Sequence, residues 1–340
     1  MQQNASLAAA LTVVVGGLLH GSFALPMKKI AKWKWENTWL VYSVAGLIVL
    51  PLALALATVP GLFGVYSGAA ASTLAVIVLC GVGWGAGSTL FGLAIARVGM
   101  ALAFAIILGI TSSVGSLLPL LILSPGDLFT HRGQVLLGGL VLVIIGIVIC
   151  SKAGAMREKN QNPEKAAGEK SGFGAGLLIC LASGILSPAL NFGFVFGKPV
   201  QDAAVAAGAK PDLAANAIWA LALAGGFLVN AGYAVYLLGK NKTWSQFTAV
   251  GTPAGYWLGA SLMGLLWYIG ISIYGMGAAA MGPLGAVLGW PMFMSVVIIM
   301  ANVLGALTGE WKGAGAGAVR TSWIGIAVLV AAIAVIAQAN

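Results

Sequence analysis

Ten long apolar runs, separated by short polar segments, make up most of the chain. Within each run the hydrophobic positions are continuous rather than alternating, and each run is about twice as long as a membrane β-strand needs to be. This pattern predicts transmembrane helices and therefore an all-α integral membrane protein. The predicted spans, numbered 1 to 10 in chain order, are residues 5–26, 38–59, 72–96, 100–123, 133–151, 173–197, 213–238, 254–275, 282–307 and 321–338.

The composition excludes several classes of protein. Hydrophobic residue types make up 60% of the 340 residues and charged types only 7%, whereas a soluble domain is about one quarter charged. A chain with so few charges cannot cover its own surface with polar groups. It is therefore not a soluble enzyme, a disordered scaffold or a nucleic-acid binder. We expect the lipid bilayer to surround it, and the sequence indicates no obligate protein partner.

The basic residues predict the orientation in the membrane. Of the 17 Lys and Arg residues, 14 fall in the loops that join each odd-numbered span to the next even-numbered span, and the other three are Arg132, Lys198 and Lys210. Cytoplasmic loops of membrane proteins carry the excess of Lys and Arg. The first set of loops is therefore predicted to be cytoplasmic, with both termini on the extracytoplasmic side of the plasma membrane.

The one long polar segment divides the chain into two halves of five spans each. Residues 152–172 are predicted to form a cytoplasmic linker between a first five-helix repeat, 1–151, and a second, 173–340. Because each half has an odd number of spans, the two repeats have opposite orientations. Inverted repeats are typical of secondary transporters, which bind substrate near the midplane. Short matches at a shift of 176 residues are Gly99-Met100 with Gly275-Met276 and Leu108-Gly109 with Leu284-Gly285.

Five stretches of the sequence carry a family resemblance. In chain order they are FALPMKKIAKWKWENTW (23–39), GVGWGAGSTLFGLAIARVGMALAFAIILGIT (81–111), FGKPVQDAAVAAG (196–208), GLLWYIGISIYGMG (264–277) and LTGEWKGAG (307–315). They resemble the L-rhamnose–proton symporters of the drug/metabolite transporter superfamily, which are proteins of the bacterial inner membrane. The resemblance implies ten helices in two inverted five-helix repeats, and uptake of L-rhamnose or a related monosaccharide with a proton. The alternative is a facilitator or exporter of another small polar metabolite on the same fold.

One side chain that titrates near neutral pH lies inside a predicted span. The eight Asp and Glu residues fall in loops or at the ends of spans, whereas His20 lies within span 1. Proton-coupled carriers keep an ionisable group in the transport pathway, and the ordinary histidine pKa of about 6.5 suits proton exchange. We therefore predict that His20 couples transport to the proton. The alternative is a neutral histidine that hydrogen-bonds to a neighbouring helix.

A polar stripe follows one face of span 6. Ser183, Ser187 and Asn191 recur every four residues and so share a helix face. Pro188 removes one backbone hydrogen bond, which predicts a kink and a free carbonyl group before Asn191. Hydroxyl and amide groups are the donors and acceptors that a sugar needs, so we predict that Ser187 and Asn191 bind substrate. The alternative is hydrogen bonding between helices.

Aromatic rings inside the spans are candidates for packing against the C–H faces of a sugar. Trp84, Trp267 and Trp290 lie within spans 3, 8 and 9, which by the superfamily resemblance line a central cavity. Ser88 shares a helix face with Trp84, and Tyr274 shares one with Trp267. All five are predicted to contact substrate, and the alternative is ordinary packing or lipid contact. The tryptophans near span ends are interpreted as an interfacial belt: Trp33, Trp35, Trp39, Trp244 and Trp311.

The sequence does not indicate other kinds of chemistry. The P-loop pattern GxxxxGK[ST] and the HExxH pattern are absent, so neither an ATP-driven pump nor a membrane enzyme is predicted. Cys80, Cys150 and Cys180 lack metal-site spacing, and no metal or cofactor is expected. Arg97 and Glu310 close spans 3 and 9 and are interpreted as structural caps or interface ions rather than gates. The sequence predicts a secondary active sugar transporter that works by alternating access.

Overall fold

The computed structural model describes residues 2–98, 100–161, 173–249 and 253–339, and within them the regular structure is helical. Among these described residues, ten helical segments are long and apolar enough to cross a membrane, which confirms the predicted number of spans. Spans 2 and 6 consist of several helical segments. Span 2 comprises Trp35–Val44, a π-helical stretch Ala45–Val49 and Leu50–Thr58, and span 6 comprises Phe173–Leu186, Ala189–Phe196 and Lys198–Ala206. The other spans are single helices: span 1 Gln2–Gly21, span 3 Ala71–Val98, span 4 Met100–Leu123, span 5 His131–Gln161, span 7 Asn216–Lys240, span 8 Ala254–Ala280, span 9 Gly285–Leu307 and span 10 Ala316–Ala337.

Span 5 is longer than its apolar run. Its helix continues to Gln161 instead of ending at 151, so the first part of the predicted linker is helical. That stretch, KAGAMREKNQ, is rich in good helix formers, and the first proline after it is Pro163. Hydrophobicity alone marks where the helix leaves the membrane and not where the helix ends. The rest of the predicted linker, 162–172, lies outside the described residues.

Span 6 is broken at the position predicted from its proline. One helix ends at Leu186 and the next begins at Ala189. Pro188 has no N–H to donate to the carbonyl of Gly184, and the hydroxyl of Thr111 in span 4 donates to that oxygen at 3.4 Å instead. The proline therefore both interrupts span 6 and creates a hydrogen-bonding point for span 4.

One of the short matches offered for the internal repeat does not fall at a junction between spans. The helix of span 8 continues to Ala280, so Gly275 lies inside it and not at its end. Its partner in the match, Gly99, lies outside the described residues. Glycine and alanine are so frequent in these spans that short matches arise by chance.

Spans of the first half pack mainly against spans of the second half. The most extensive pairings between the halves are 1 with 8 and 9, 2 with 7 and 8, 3 with 6 and 7, 4 with 6 and 9, and 5 with 10; within the halves, 4 packs on 5 and 9 on 10. The core of the bundle thus lies between the two halves.

Glycines permit the closest of these approaches, as small residues do in membrane helices. Spans 1 and 8 cross so closely at Gly16 and Gly270 that a methyl group on Gly16 would lie 2.7 Å from the Gly270 carbonyl oxygen. A methyl group on Gly270 would lie 2.7 Å from Cβ of His20. The crossing therefore brings His20 against the middle of span 8.

Candidate functional site

Two tryptophans from different halves meet at the middle of the bundle. Trp84 lies halfway along Ala71–Val98 and Trp267 halfway along Ala254–Ala280, which puts both near the membrane midplane. Their ring centroids are 5.0 Å apart with an interplanar angle of 38°. Trp267 is buried and Trp84 is half-buried. We refer to these two residues as the central pair.

His20, the predicted proton carrier, lies directly against the central pair. Its ring centroid is 4.8 Å from that of Trp267 and 5.0 Å from that of Phe293, and the side chain is buried. Nδ1 is 3.1 Å from the backbone carbonyl oxygen of Trp267. Because a carbonyl oxygen only accepts hydrogen bonds, Nδ1 carries the hydrogen, and Nε2 is left as the proton-accepting nitrogen.

Asn191 pairs with a backbone carbonyl that a proline leaves free in span 4. Pro119 lacks the N–H that would bind the Gly115 carbonyl, and the side-chain amide of Asn191 donates to that oxygen at 3.0 Å. The hydroxyl of Tyr274 donates to Oδ1 of Asn191 at 2.5 Å. Both ends of this fully buried amide thus bind protein groups, and Asn191 joins spans 4, 6 and 8.

Trp290 fills the space beside Asn191. Its indole N–H donates to the carbonyl oxygen of Thr111 at 3.0 Å. The indole lies over Gly115, where a methyl group would overlap the ring. A glycine at this point of span 4 is therefore what admits the large side chain from span 9.

Phe293 connects the two groups of predicted site residues. Its ring centroid is 4.8 Å from that of Tyr274 and 5.0 Å from that of His20. The structure thus brings the central pair and His20 together in one group, and Asn191, Tyr274 and Trp290 together in an adjoining one. Sequence reasoning missed Phe293, although Trp290 lies only three residues before it in the same helix.

The two serines of the polar stripe face span 3. The hydroxyl of Ser183 donates to the carbonyl oxygen of Gly87 at 2.8 Å. Ser187 is packed so close to Gly87 that a methyl group there would lie 2.9 Å from its hydroxyl oxygen. For Ser183 the contact is the helix-to-helix hydrogen bond that was the alternative interpretation of the stripe.

Ser88 belongs to a polar group that sequence reasoning did not assemble. Its hydroxyl lies within hydrogen-bond distance of two acceptors, the Gly85 carbonyl in its own helix at 2.9 Å and Oδ1 of Asn230 in span 7 at 3.1 Å. The indole N–H of Trp39 in span 2 donates to the same Oδ1 at 3.1 Å. The interpretation of Trp39 as a belt residue is therefore wrong. Trp33 also points inward, since it is buried and its indole N–H donates to the Gln246 carbonyl at 3.0 Å.

Charged residues meet at the end of the bundle that carries loops 1–2, 5–6 and 9–10. The carboxylate of Glu310 pairs with Lys28 and, at 3.1 Å, with Arg157. Arg157 also lies over the ring of Trp311, 5.1 Å from its centroid. Partial burial favours the neutral carboxyl group, but hydrogen bonds and charge from Lys28 and Arg157 outweigh it and lower the pKa of Glu310. We refer to Lys28, Arg157 and Glu310 as the charged cluster.

In the described part of the chain, ten helices long and apolar enough to cross a membrane pack half against half around a buried aromatic and amide centre, which is the architecture of a multi-pass membrane protein. A family model described as L-rhamnose-proton symport protein (RhaT) matches residues 2–339. The chain belongs to this family, whose members are transporters and not enzymes, and it is accordingly a multi-pass inner-membrane protein.

Curated relatives align with almost the whole chain. The L-rhamnose-proton symporter of Klebsiella pneumoniae is 30% identical over 325 residues, which cover 94% of each chain. The proteins of the same name from Escherichia coli and Citrobacter koseri are each 29% identical over 325 residues, again 94% of each chain.

Proposed function

We propose that this protein is a secondary active transporter that imports L-rhamnose or a related monosaccharide together with a proton by alternating access. Membership of the family and full-length similarity to proteins named L-rhamnose-proton symporters support the substrate and the coupling ion. The observation that carries the proposal is the contact between His20 and Trp267 beside Trp84. This contact brings indole rings and an imidazole together between the two halves, which supports a site there for both a sugar and a proton.

The pattern of helix pairing supports two inverted repeats, residues 1–151 and 173–340. A two-fold axis that relates the halves exchanges spans 1 to 5 with spans 6 to 10 in order. It converts the pairing of spans 1 and 8 into that of spans 6 and 3, the pairing of 1 and 9 into that of 6 and 4, and the pairing of 2 and 8 into that of 7 and 3. All of these pairings are present. GVGWGAG (81–87) and GLLWYIG (264–270) share Gly, Trp and Gly at equal spacing, at a shift of 183. This register pairs Trp84 with Trp267, as a two-fold axis between them requires. The resemblance to the drug/metabolite transporter superfamily implies the same architecture.

The proposed sugar site lies between the central pair and the group formed by Asn191, Tyr274 and Trp290. Because the two tryptophans contact each other in this conformation, binding requires the halves to separate there. The sugar then stacks on the indole rings, and Ser88 and Ser187 at the edges of the site supply hydroxyl groups. Asn191 and Tyr274 exchange their mutual hydrogen bond for bonds to the sugar, at little net cost when no group is left unpaired.

The proposed coupling step is protonation of His20 at Nε2. A charge that appears against the Trp267 ring changes the environment of the sugar directly. An ion biases a conformational equilibrium only through its different affinity for the two states. Protonation must therefore favour the outward-facing, sugar-binding state, in which the lower pH of the extracytoplasmic side loads the site.

The proposed orientation puts the charged cluster in the cytoplasm and both termini outside. The bias of Lys and Arg among the loops supports it. A Cys introduced at position 2 and one at position 162, each in a Cys-free background, test it with a membrane-impermeant thiol reagent in intact cells. We expect labelling at 2 and protection at 162, and the reverse pattern contradicts the orientation.

Uptake of a panel of radiolabelled sugars into vesicles, with and without an imposed pH gradient, tests the proposed function. We expect L-rhamnose or a close relative to be concentrated only when the gradient is directed inward. If the sugar only reaches equal concentrations on both sides, with or without the gradient, the protein is a facilitator, which is the alternative on this fold. Absence of saturable uptake for every sugar contradicts the proposal.

A further inference from the structure

We propose a second sugar subsite between the central pair and the end of the bundle that carries loops 1–2 and 7–8. It is formed by Trp39 and Asn230 together with Ser88, which it shares with the edge of the central site. The inference rests on the proposed sugar transport. The subsite holds the monosaccharide as it passes between the central site and that face of the membrane. Its parts are an aromatic ring, a hydroxyl group and an amide group, which are the groups that recognise sugars.

The hydrogen bonds within this group leave capacity for a ligand. Oδ1 of Asn230 accepts from Trp39 at 3.1 Å, and Nδ2 donates to the Gly226 carbonyl at 3.0 Å. The single hydrogen of the Ser88 hydroxyl is shared between Oδ1 of Asn230 at 3.1 Å and the Gly85 carbonyl at 2.9 Å. A side-chain amide has two N–H groups and a hydroxyl oxygen has two lone pairs. The second N–H of Asn230 and the lone pairs of Ser88 are therefore not used by these bonds. Asn191, by contrast, has both ends bound to protein groups.

A continuous series of aromatic rings connects this subsite with the centre and with the bundle end. Trp35, which is 39% exposed, stacks on Trp39 with centroids 4.8 Å apart and an interplanar angle of 22°. Trp39 is 4.7 Å from Tyr42, which is 6.4 Å from Trp267. Trp267 in turn contacts Trp84. Tyr42 is fully buried, so a sugar can meet its ring only when the helices separate there, as at the central pair.

The subsite faces the interior of the bundle and not the lipid. Trp39, Trp84 and Ser88 are all half-buried. Val44 in span 2 and Leu79 in span 3, both exposed apolar residues, lie on the sides of their helices away from Trp39 and Ser88, whereas the exposed Trp35 shares the face of Trp39 at the bundle end. Trp39 and Ser88 bind Asn230, which is itself buried in the core. The polar atoms of Trp39 and Ser88 that approach Asn230 are thus directed into the bundle.

Transport measured separately from the two faces of the membrane tests the subsite. Inside-out and right-side-out vesicles present L-rhamnose to opposite faces, and the variants are Trp39→Phe, which keeps a ring but loses the N–H, and Asn230→Ala. We expect the apparent KM to rise about tenfold when sugar is presented at the face of loops 1–2 and 7–8, and to change by less than about twofold at the other face. A role in folding alone would not discriminate between the faces.

Asn302→Ala is the matched control. Asn302 also donates from Nδ2 to a carbonyl four residues earlier, at 2.9 Å, but lies in span 9 beside Ser322. It should leave KM unchanged at both faces. Equal changes at both faces, a change confined to the opposite face, or no change overturns the subsite. A wild-type protein without saturable L-rhamnose flux from either face would instead refute the proposed function.

Discussion

The centre of the bundle and the charged cluster at its end both join the two halves, but by opposite kinds of contact. At the centre the halves meet through ring faces and uncharged hydrogen bonds in buried surroundings. In the charged cluster they meet through ion pairs whose carboxylate side chain is 43% exposed. Exposed ion pairs are individually weak and are screened by salt, whereas ring contacts depend on shape. The precise contacts thus lie at the centre, where we propose that the sugar binds, and weak, solvated contacts join the halves at one end.

The contacts at the centre are expected to contribute most to sugar binding. We expect Trp84→Ala, Trp267→Ala and also Asn191→Ala to weaken sugar binding by about 1–3 kcal/mol each, through lost stacking or unpaired hydrogen-bonding groups. Equilibrium binding of radiolabelled L-rhamnose to purified protein measures the effect. Trp323→Ala, at a residue that is 54% exposed in span 10, is the control. Unchanged affinity in all three site variants contradicts the proposed site.

Adding a methyl group at Gly115 tests how tightly the centre is packed. Gly115→Ala drives a methyl group into the Trp290 indole and to within 3.2 Å of Cβ of Pro188. We expect a loss of about 1–3 kcal/mol of stability, the usual cost of overpacking a core. Gly109→Ala, in the same helix, meets nothing within 4 Å and is the matched control. Thermal unfolding in detergent should show a lower Tm for the first variant alone, and equal Tm values would contradict the packing described.

Local patterns in the sequence predicted the helices and the break in span 6, because hydrophobic run length and a proline act on their own neighbourhood. The partners of individual side chains were not predictable. The bond between Trp39 and Asn230 joins residues 191 positions apart, and Trp39 reads as a belt residue because it lies near the start of its helix. Asn191 was singled out by its spacing from Ser183 and Ser187, but its acceptor is a carbonyl freed by Pro119 in another span.

Neutralising the charged cluster should have the smallest effect. Lys28 and Arg157 lower the pKa of Glu310 despite its partial burial. The charged carboxylate therefore contributes its full stability above the ordinary glutamate pKa of 4.5, and this contribution is lost as the pH falls through the lowered pKa of the folded protein. We expect Glu310→Gln to cost about 1 kcal/mol or less at neutral pH. Tm measured against pH and salt should differ from wild type at pH 7 in low salt and converge with it in acid or high salt. A large difference that salt does not reduce would contradict the weak-contact interpretation.

The pairing of a proton-accepting imidazole with the central pair is tested most directly by His20→Gln. Glutamine keeps hydrogen-bonding capacity at this position but cannot carry the proton's charge. Radiolabelled L-rhamnose is followed in vesicles in two modes, namely accumulation under an inward proton gradient and exchange without one. We predict that the variant loses accumulation completely and keeps sugar binding and exchange near the wild-type level. If the variant still concentrates sugar under the gradient, His20 is not the coupling site, and the proton is carried elsewhere in the protein.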